Sequence, residues 1–132
     1  MRDFCARSEF GLSELGTRAS LECRLPSGVL VDFHWFASSE RLEDVFAEDA
    51  ENADLTAGGD CTAEQWSYRG TWSVGAGNPA VGKLLCFTSG EEARVVWTYD
   101  DMSLFAHAVR ADGDIGRLHR WWSDVAAATH TL

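Results

Sequence analysis

The segment from Lys83 to Ala111 constrains the fold most, because it contains three apolar stretches in immediate succession. Residues 84–87 form a short apolar run that ends at a Ser-Gly turn, and residues 93–99 alternate with a period of two. Residues 102–109 are rich in apolar side chains on both faces, which is typical of a strand covered on two sides. The segment therefore predicts a three-stranded antiparallel meander in the middle of a sheet.

Two further strands and a helix are predicted upstream of this meander. Residues 19–25 alternate between apolar and polar, and a Pro-Ser-Gly turn separates them from a second strand at residues 29–36. Ser38 is suited to cap a helix whose apolar residues recur at helical spacing. Residues 1–18 are polar and weakly periodic, so we expect a loosely ordered arm there, with a turn of helix near Leu12–Leu15.

The C-terminal part predicts a second helix, capped by Asp114 and carrying a regular apolar stripe. Residues 55–82 are irregular and Gly-rich, with a short strand expected around Trp66–Trp72. We therefore expect a single α+β domain over residues 19–132. It would have an antiparallel sheet of about five strands with both helices packed on one face, in the order β-β-α-(β)-β-β-β-α.

The charge balance restricts the partners that the chain can have. It contains 21 acidic and 11 basic residues, which gives a net charge of -10. Such a charge repels phosphate backbones and anionic lipid surfaces, so nucleic acid is not an expected partner. No apolar run reaches the roughly 18 residues that a membrane helix needs, so no membrane insertion is expected.

Acidic residues cluster on the exposed face of the first predicted helix. We interpret four of them as a candidate docking surface for a basic protein partner: Glu43, Asp44, Glu48 and Glu51. The alternative is an ordinary solvated helix face.

The four cysteines allow three complete disulfide pairings, and the sequence does not choose among them. Cys61 in a Gly-rich loop and Cys86 on a central strand are the candidate pair. Their bridge would close a loop of about 25 residues and stabilise the fold by about 3 kcal/mol in the chain-entropy model. The alternative is that Cys23 and Cys86 are small buried hydrophobic residues. The spacing contains no C-x2-C pair, so no metal site is predicted.

A few polar and aromatic residues are candidates for a ligand site. Asp32 and His34 share one face of a strand and could act as an acid/base pair, or that face could simply be solvated. His107 is interpreted as a satisfied histidine on a sheet face. No phosphate-binding loop, nucleophile elbow or paired Cys/His motif occurs, so neither a catalytic residue nor a cofactor is assigned.

Three aromatic residues lie in or beside the irregular region and could line a pocket: Trp66, Tyr68 and Trp72. The alternative is that these side chains belong to the core, as large aromatic residues usually do.

A series of short motifs is spread across residues 19–124. They are Ala19–Cys23, Gly28–Trp35, Phe36–Ser38, Gly59–Cys61, Gly70–Trp72, Gly82–Phe87, Val95–Thr98 and Trp121–Trp122. Together they resemble the small domain found after the membrane helix in some actinobacterial serine/threonine protein kinases, and its stand-alone secreted or lipoprotein relatives. The resemblance implies a non-catalytic, extracytoplasmic sensing or interaction domain.

Two hypotheses about function follow. The first, which we favour, is a non-catalytic sensor or interaction domain that binds an unidentified ligand or protein partner. The second is a small enzyme without a known motif, or a small-molecule-binding domain, that uses an aromatic pocket near the Trp66 to Trp72 loop. We expect an extracytoplasmic location if the chain is excised or processed from a longer one, and a cytoplasmic location if it is the full native chain.

Overall fold

The computed structural model describes residues 5–7, 17–25, 28–52, 58–61, 66–73 and 79–130. In chain order the elements are β1 (Cys5–Arg7), β2 (Thr17–Arg24), β3 (Val29–Phe36), α1 (Ser39–Asn52), β4 (Gly58–Cys61), β5 (Trp66–Ser73), β6 (Ala80–Ser89), β7 (Glu92–Tyr99), β8 (Leu104–Arg110) and α2 (Ile115–His130). The strands form one antiparallel sheet in the order β1-β2-β3-β8-β7-β6-β5-β4. The predicted α+β class with an antiparallel sheet and two helices is confirmed.

The centre of the sheet is the predicted meander, because β6, β7 and β8 are neighbours in both sequence and space. Six of the strands have seven to ten residues each. The number of long strands is therefore close to the five strands that the sequence predicts. The other two are the short edge strands β1 and β4. Residues 5–7 of the expected N-terminal arm thus belong to the sheet, whereas the turn of helix predicted near Leu12–Leu15 falls outside the described residues.

Both helices begin where their capping residues predict. The Ser38 hydroxyl accepts a hydrogen bond of 3.2 Å from the backbone N–H of Arg41. The Asp114 carboxylate accepts one of 3.0 Å from the backbone N–H of Arg117. Each side chain satisfies an N–H group that the first turn of a helix leaves without a partner.

Helix α2 covers one face of the sheet and encloses the larger apolar core. Its buried residues Ile115, Leu118 and Trp122 pack against inward-facing strand residues such as Val95 and Trp97. Trp97 and Trp122 meet edge to face at a ring-centroid distance of 6.3 Å, the arrangement that aromatic pairs prefer. This face is therefore closed by apolar contacts.

Helix α1 covers part of the opposite face, which corrects the expectation that both helices share one face. Its buried stripe packs on a second apolar cluster that includes Leu85, Val96 and Phe105 from β6, β7 and β8. Val95 and Val96 are both fully buried although they point to opposite faces, because each helix covers one of them. Amphipathic stripes show that a helix is buried on one side, but they do not show which face of the sheet receives it.

Two of the four cysteines lie inside the α2-side core. Cys23 and Cys86 are buried, and both are disulfide-bonded, so neither is the unbonded hydrophobic residue of the alternative interpretation. The predicted bridge between Cys61 and Cys86 stays a prediction, because the side chain of Cys61 lies outside the described part of the chain.

Candidate functional site

An open groove lies between helix α1 and strands β5 and β6, and we call it the α1 groove. It has a volume of about 240 Å³. Its lining residues come from all three elements: Glu43, Phe46 and Ala47 from α1, Arg69, Gly70 and Thr71 from β5, and Lys83 from β6. The groove therefore combines an apolar floor with two basic side chains and one acidic side chain.

Lys83 lies close to an acidic and an aromatic side chain of the α1 groove. Its ammonium nitrogen lies 3.6 Å from a Glu43 carboxylate oxygen and 5.9 Å from the centre of the Phe46 ring. The Lys83 side chain is 34% exposed and that of Glu43 is 63% exposed. An ion pair of this length and exposure contributes little to stability, so an anion from outside can replace the Glu43 carboxylate at small cost.

The backbone beneath Lys83 is fixed by Thr98, a buried polar residue on β7. The Thr98 hydroxyl accepts a hydrogen bond of 2.8 Å from the backbone N–H of Lys83 and donates one of 2.7 Å to Asp100. Next to Lys83, a Cβ at Gly82 would overlap the backbone carbonyl oxygen of Thr98, so this position requires glycine. Strands β6 and β7 thus hold Lys83 in one place.

A second group of polar residues lies on the same sheet face, and we call it the polar row: Asp32 on β3, His107 on β8, and Arg94 and Glu92 on β7. Arg94 donates hydrogen bonds to Nε2 of His107 at 3.3 Å and to Glu92 at 2.6 Å. Nδ1 of His107 lies 4.0 Å from the Asp32 carboxylate. The polar row links three strands by charge and hydrogen bonding.

The protonation state of the polar row follows from its environment. Burial, the neighbouring Arg94 guanidinium and His34 lower the pKa of His107 to about 4. An arginine side chain can only donate hydrogen bonds, so Nε2 of His107 must accept the hydrogen bond from Arg94. The ring proton of His107 therefore lies on Nδ1, which faces Asp32. Burial, followed by the charge of Glu22, raises the pKa of Asp32. His107 is therefore a neutral residue on a sheet face, in line with the sequence-based interpretation.

The predicted acid/base pair of Asp32 and His34 is arranged differently from the expectation. Asp32 faces Nδ1 of His107, which lies opposite it on the neighbouring strand. The His34 ring packs against Phe105 at a centroid distance of 6.0 Å, and burial lowers its pKa. Arg94 and Glu92 were not predicted as site residues, because the register of β7 against β8 determines which polar residues meet.

Of the three aromatic pocket candidates, Trp72 is the one whose side chain the structure describes, and it does not line the α1 groove. Trp72 is buried on the α2 side of the sheet, where its ring meets Tyr99 and Trp122 edge to face. Its indole N–H donates a hydrogen bond of 2.8 Å to the backbone oxygen of Thr98. Trp72 is thus a core residue, as the alternative interpretation held, while the side chains of Trp66 and Tyr68 lie outside the described residues.

The predicted acidic docking surface is exposed on the outer side of helix α1. Glu43, Asp44, Glu48 and Glu51 are all exposed. Glu43 contributes to the α1 groove as well, since it faces Lys83. The other three residues are not among the described residues that line the groove, so the two candidate surfaces share Glu43.

Comparisons with protein-family models, curated proteins and solved structures gave no match to this chain. Within the described ranges, no group of three or more His, Cys, Asp or Glu side chains is arranged to hold a metal ion. No helix in the same ranges is long and apolar enough to cross a membrane. The functional assignment rests on the geometry of the chain itself.

Proposed function

We propose that this chain is a non-catalytic sensor or interaction domain that binds an anionic group of a ligand or protein partner in the α1 groove. One observation carries the proposal: in a chain with a net charge of -10, two basic residues, Arg69 and Lys83, line the same apolar groove. The resemblance of the chain to the extracytoplasmic domain of actinobacterial kinases agrees with a recognition role and is part of the same proposal.

The chemistry of the α1 groove indicates which ligands fit. The Phe46 ring, Ala47 and Gly70 offer a surface for a small apolar or aromatic group. Lys83 and Arg69 can bind a carboxylate or a phosphate beside it, because a guanidinium and an ammonium group are the usual partners of such anions. We therefore expect a ligand that carries an anionic group next to a compact apolar part.

The alternative of a small enzyme has less support. A general base must have a suitable pKa and a free lone pair. In the polar row, the lone pair on Nε2 of His107 already accepts a hydrogen bond from Arg94. The pKa of His107 is about 4, well below neutral pH. Among the residues that the structure describes, the lining of the α1 groove contains neither histidine nor cysteine. These features favour binding over catalysis.

Calorimetric titration with benzoate tests the proposal, because benzoate joins a carboxylate to a compact ring. Weak, saturable binding in the millimolar range is expected for a ligand of this size. Lys83→Gln should weaken binding at least fivefold. Arg117→Gln is the matched control, since it removes the same charge from an exposed position on helix α2 and should leave the affinity unchanged.

Two outcomes would contradict this assignment. One is the absence of saturable benzoate binding to the wild-type chain. The other is an equal loss of affinity in Lys83→Gln and Arg117→Gln, which would mean that overall charge, and not the groove, determines binding.

A further inference from the structure

Two of the four cysteines lie on the edge strands of the sheet, one at each edge. Cys5 lies on β1 and Cys61 on β4, and these two strands end the strand order on opposite sides. Cys23 and Cys86 lie on the longer strands β2 and β6, and both are disulfide-bonded. Since the chain has four cysteines, the question is which edge cysteine each buried one takes as its partner.

A bond between Cys23 and Cys86 is excluded by their distance in the sheet. Strands β3, β8 and β7 separate β2 from β6, which is four strand spacings or roughly 19 Å. The Cα atoms of a disulfide are less than about 7 Å apart. Each buried cysteine must therefore bond to a cysteine on an edge strand.

The register of the sheet selects the partner of Cys23. Cys5 stands directly opposite Cys23 in the antiparallel pair of β1 and β2. Directly opposed residues have Cα atoms about 4.5–5.5 Å apart, which lies within the range of a disulfide. By contrast, five strands separate Cys23 from Cys61 on β4.

The remaining pair is Cys61 and Cys86, with only β5 between their strands. Tyr68 of β5 is opposite both Gly59 and Cys86, so position 61, two residues along β4 from Gly59, is on the same face as Cys86. Helix α2 covers that face of the sheet, and it also contacts β4. Since Cys5 is the partner of Cys23, Cys61 is the one cysteine left to bond with Cys86.

We propose that disulfides Cys5–Cys23 and Cys61–Cys86 tie the two short edge strands to the sheet, one at each end. Strands of three and four residues have few backbone hydrogen bonds, so a covalent link is an efficient way to hold them. Fixed edge strands also protect a sheet from pairing with other chains. Stable disulfides form in oxidising compartments, so the domain works outside the reducing cytoplasm.

Tryptic digestion of the wild-type chain, purified without reductant and alkylated before digestion, tests this pairing. Each cysteine falls in its own tryptic peptide: residues 3–7, 19–24, 42–69 and 84–94. Mass spectrometry should find 3–7 linked to 19–24 and 42–69 linked to 84–94. Either of the other two pairings, or four separately alkylated peptides, would overturn the proposal.

A second measurement tests the role of the bonds as edge ties. In the double variant Cys5→Ser, Cys23→Ser, amide hydrogen exchange should accelerate in β1 and stay unchanged in β4. The variant Cys61→Ser, Cys86→Ser should show the reverse. Equal acceleration at both edges in either variant would contradict a separate tie at each end.

Discussion

The two faces of the sheet are built in different ways. Helix α2 closes its face with a large apolar cluster in which Trp72, Trp97 and Trp122 meet edge to face. Helix α1 covers a smaller cluster and leaves room beside it for the polar row and the α1 groove. The α2 side therefore supplies most of the stability, whereas the α1 side carries the groups able to interact with other molecules.

The largest effect is expected from an aromatic residue of the α2 side. Trp97→Ala should cost about 3–5 kcal/mol of the free energy of unfolding, because it leaves a cavity in a fully buried cluster. Phe87→Ala, at the partly buried margin of the α1-side cluster, should cost about 1–2 kcal/mol. Urea denaturation of both variants measures the difference, and equal losses would show that the two faces contribute alike.

The polar row should make stability depend on pH. The folded pKa of His107 is about 4 against an ordinary value of 6.5, so between these values the folded state binds fewer protons than the unfolded state. Stability should therefore decrease as the pH falls from 6.5 to 4, by up to about 3 kcal/mol at about 1.4 kcal/mol per pH unit. Asp32 acts in the opposite direction, since its raised pKa favours proton uptake by the folded state.

Chemical denaturation between pH 7 and pH 4 measures this dependence. In His107→Gln the decrease should become clearly smaller, because the glutamine amide can still accept from Arg94 but does not titrate. An unchanged pH dependence in that variant would show that His107 is not its source.

Buried polar groups of the α1 side should show a smaller effect. Thr98→Val removes the acceptor of the Lys83 backbone N–H and should cost about 1–3 kcal/mol. Thr88→Val is the matched control at a less buried position on β6 and should change stability by less than about 0.5 kcal/mol. Thermal denaturation of the pair checks this, and equal changes would mean that the Thr98 hydroxyl is not required beneath the groove.

The smallest effect is expected on the outer side of helix α1. Replacing Asp44, Glu48 and Glu51 by serine should leave stability within about 0.5 kcal/mol per site, because these side chains are exposed. If the acidic docking surface binds a basic partner, salt-dependent binding of a polylysine probe should weaken in this variant. Unchanged probe binding would leave these residues as a solvated helix face.

Local patterns predicted much of the fold. The bounds of β3 and the caps at Ser38 and Asp114 agree with the sequence because each depends on neighbouring residues alone. The face that each helix covers and the short strand β4 depend on contacts between distant segments. Alternating or amphipathic patterns do not contain that information.

The candidate site was less accessible to sequence reasoning than the fold. Asp32 was recognised as a candidate, but its contact with His107 follows from the register of β3 against β8. The α1 groove could not be predicted, because its lining combines residues of α1, β5 and β6 that are far apart in the sequence. Among the candidate residues whose side chains are described, Glu43 alone lines the groove.

The most direct test of the account is a map of amide chemical-shift changes during titration of the wild-type chain with benzoate. If benzoate binds in the α1 groove, the largest changes should occur at Gly70, Thr71 and Lys83 and along the side of α1 that carries Phe46 and Ala47, with little change in α2. Changes centred on the polar row or on helix α2 would contradict the assignment of the α1 groove as the binding site.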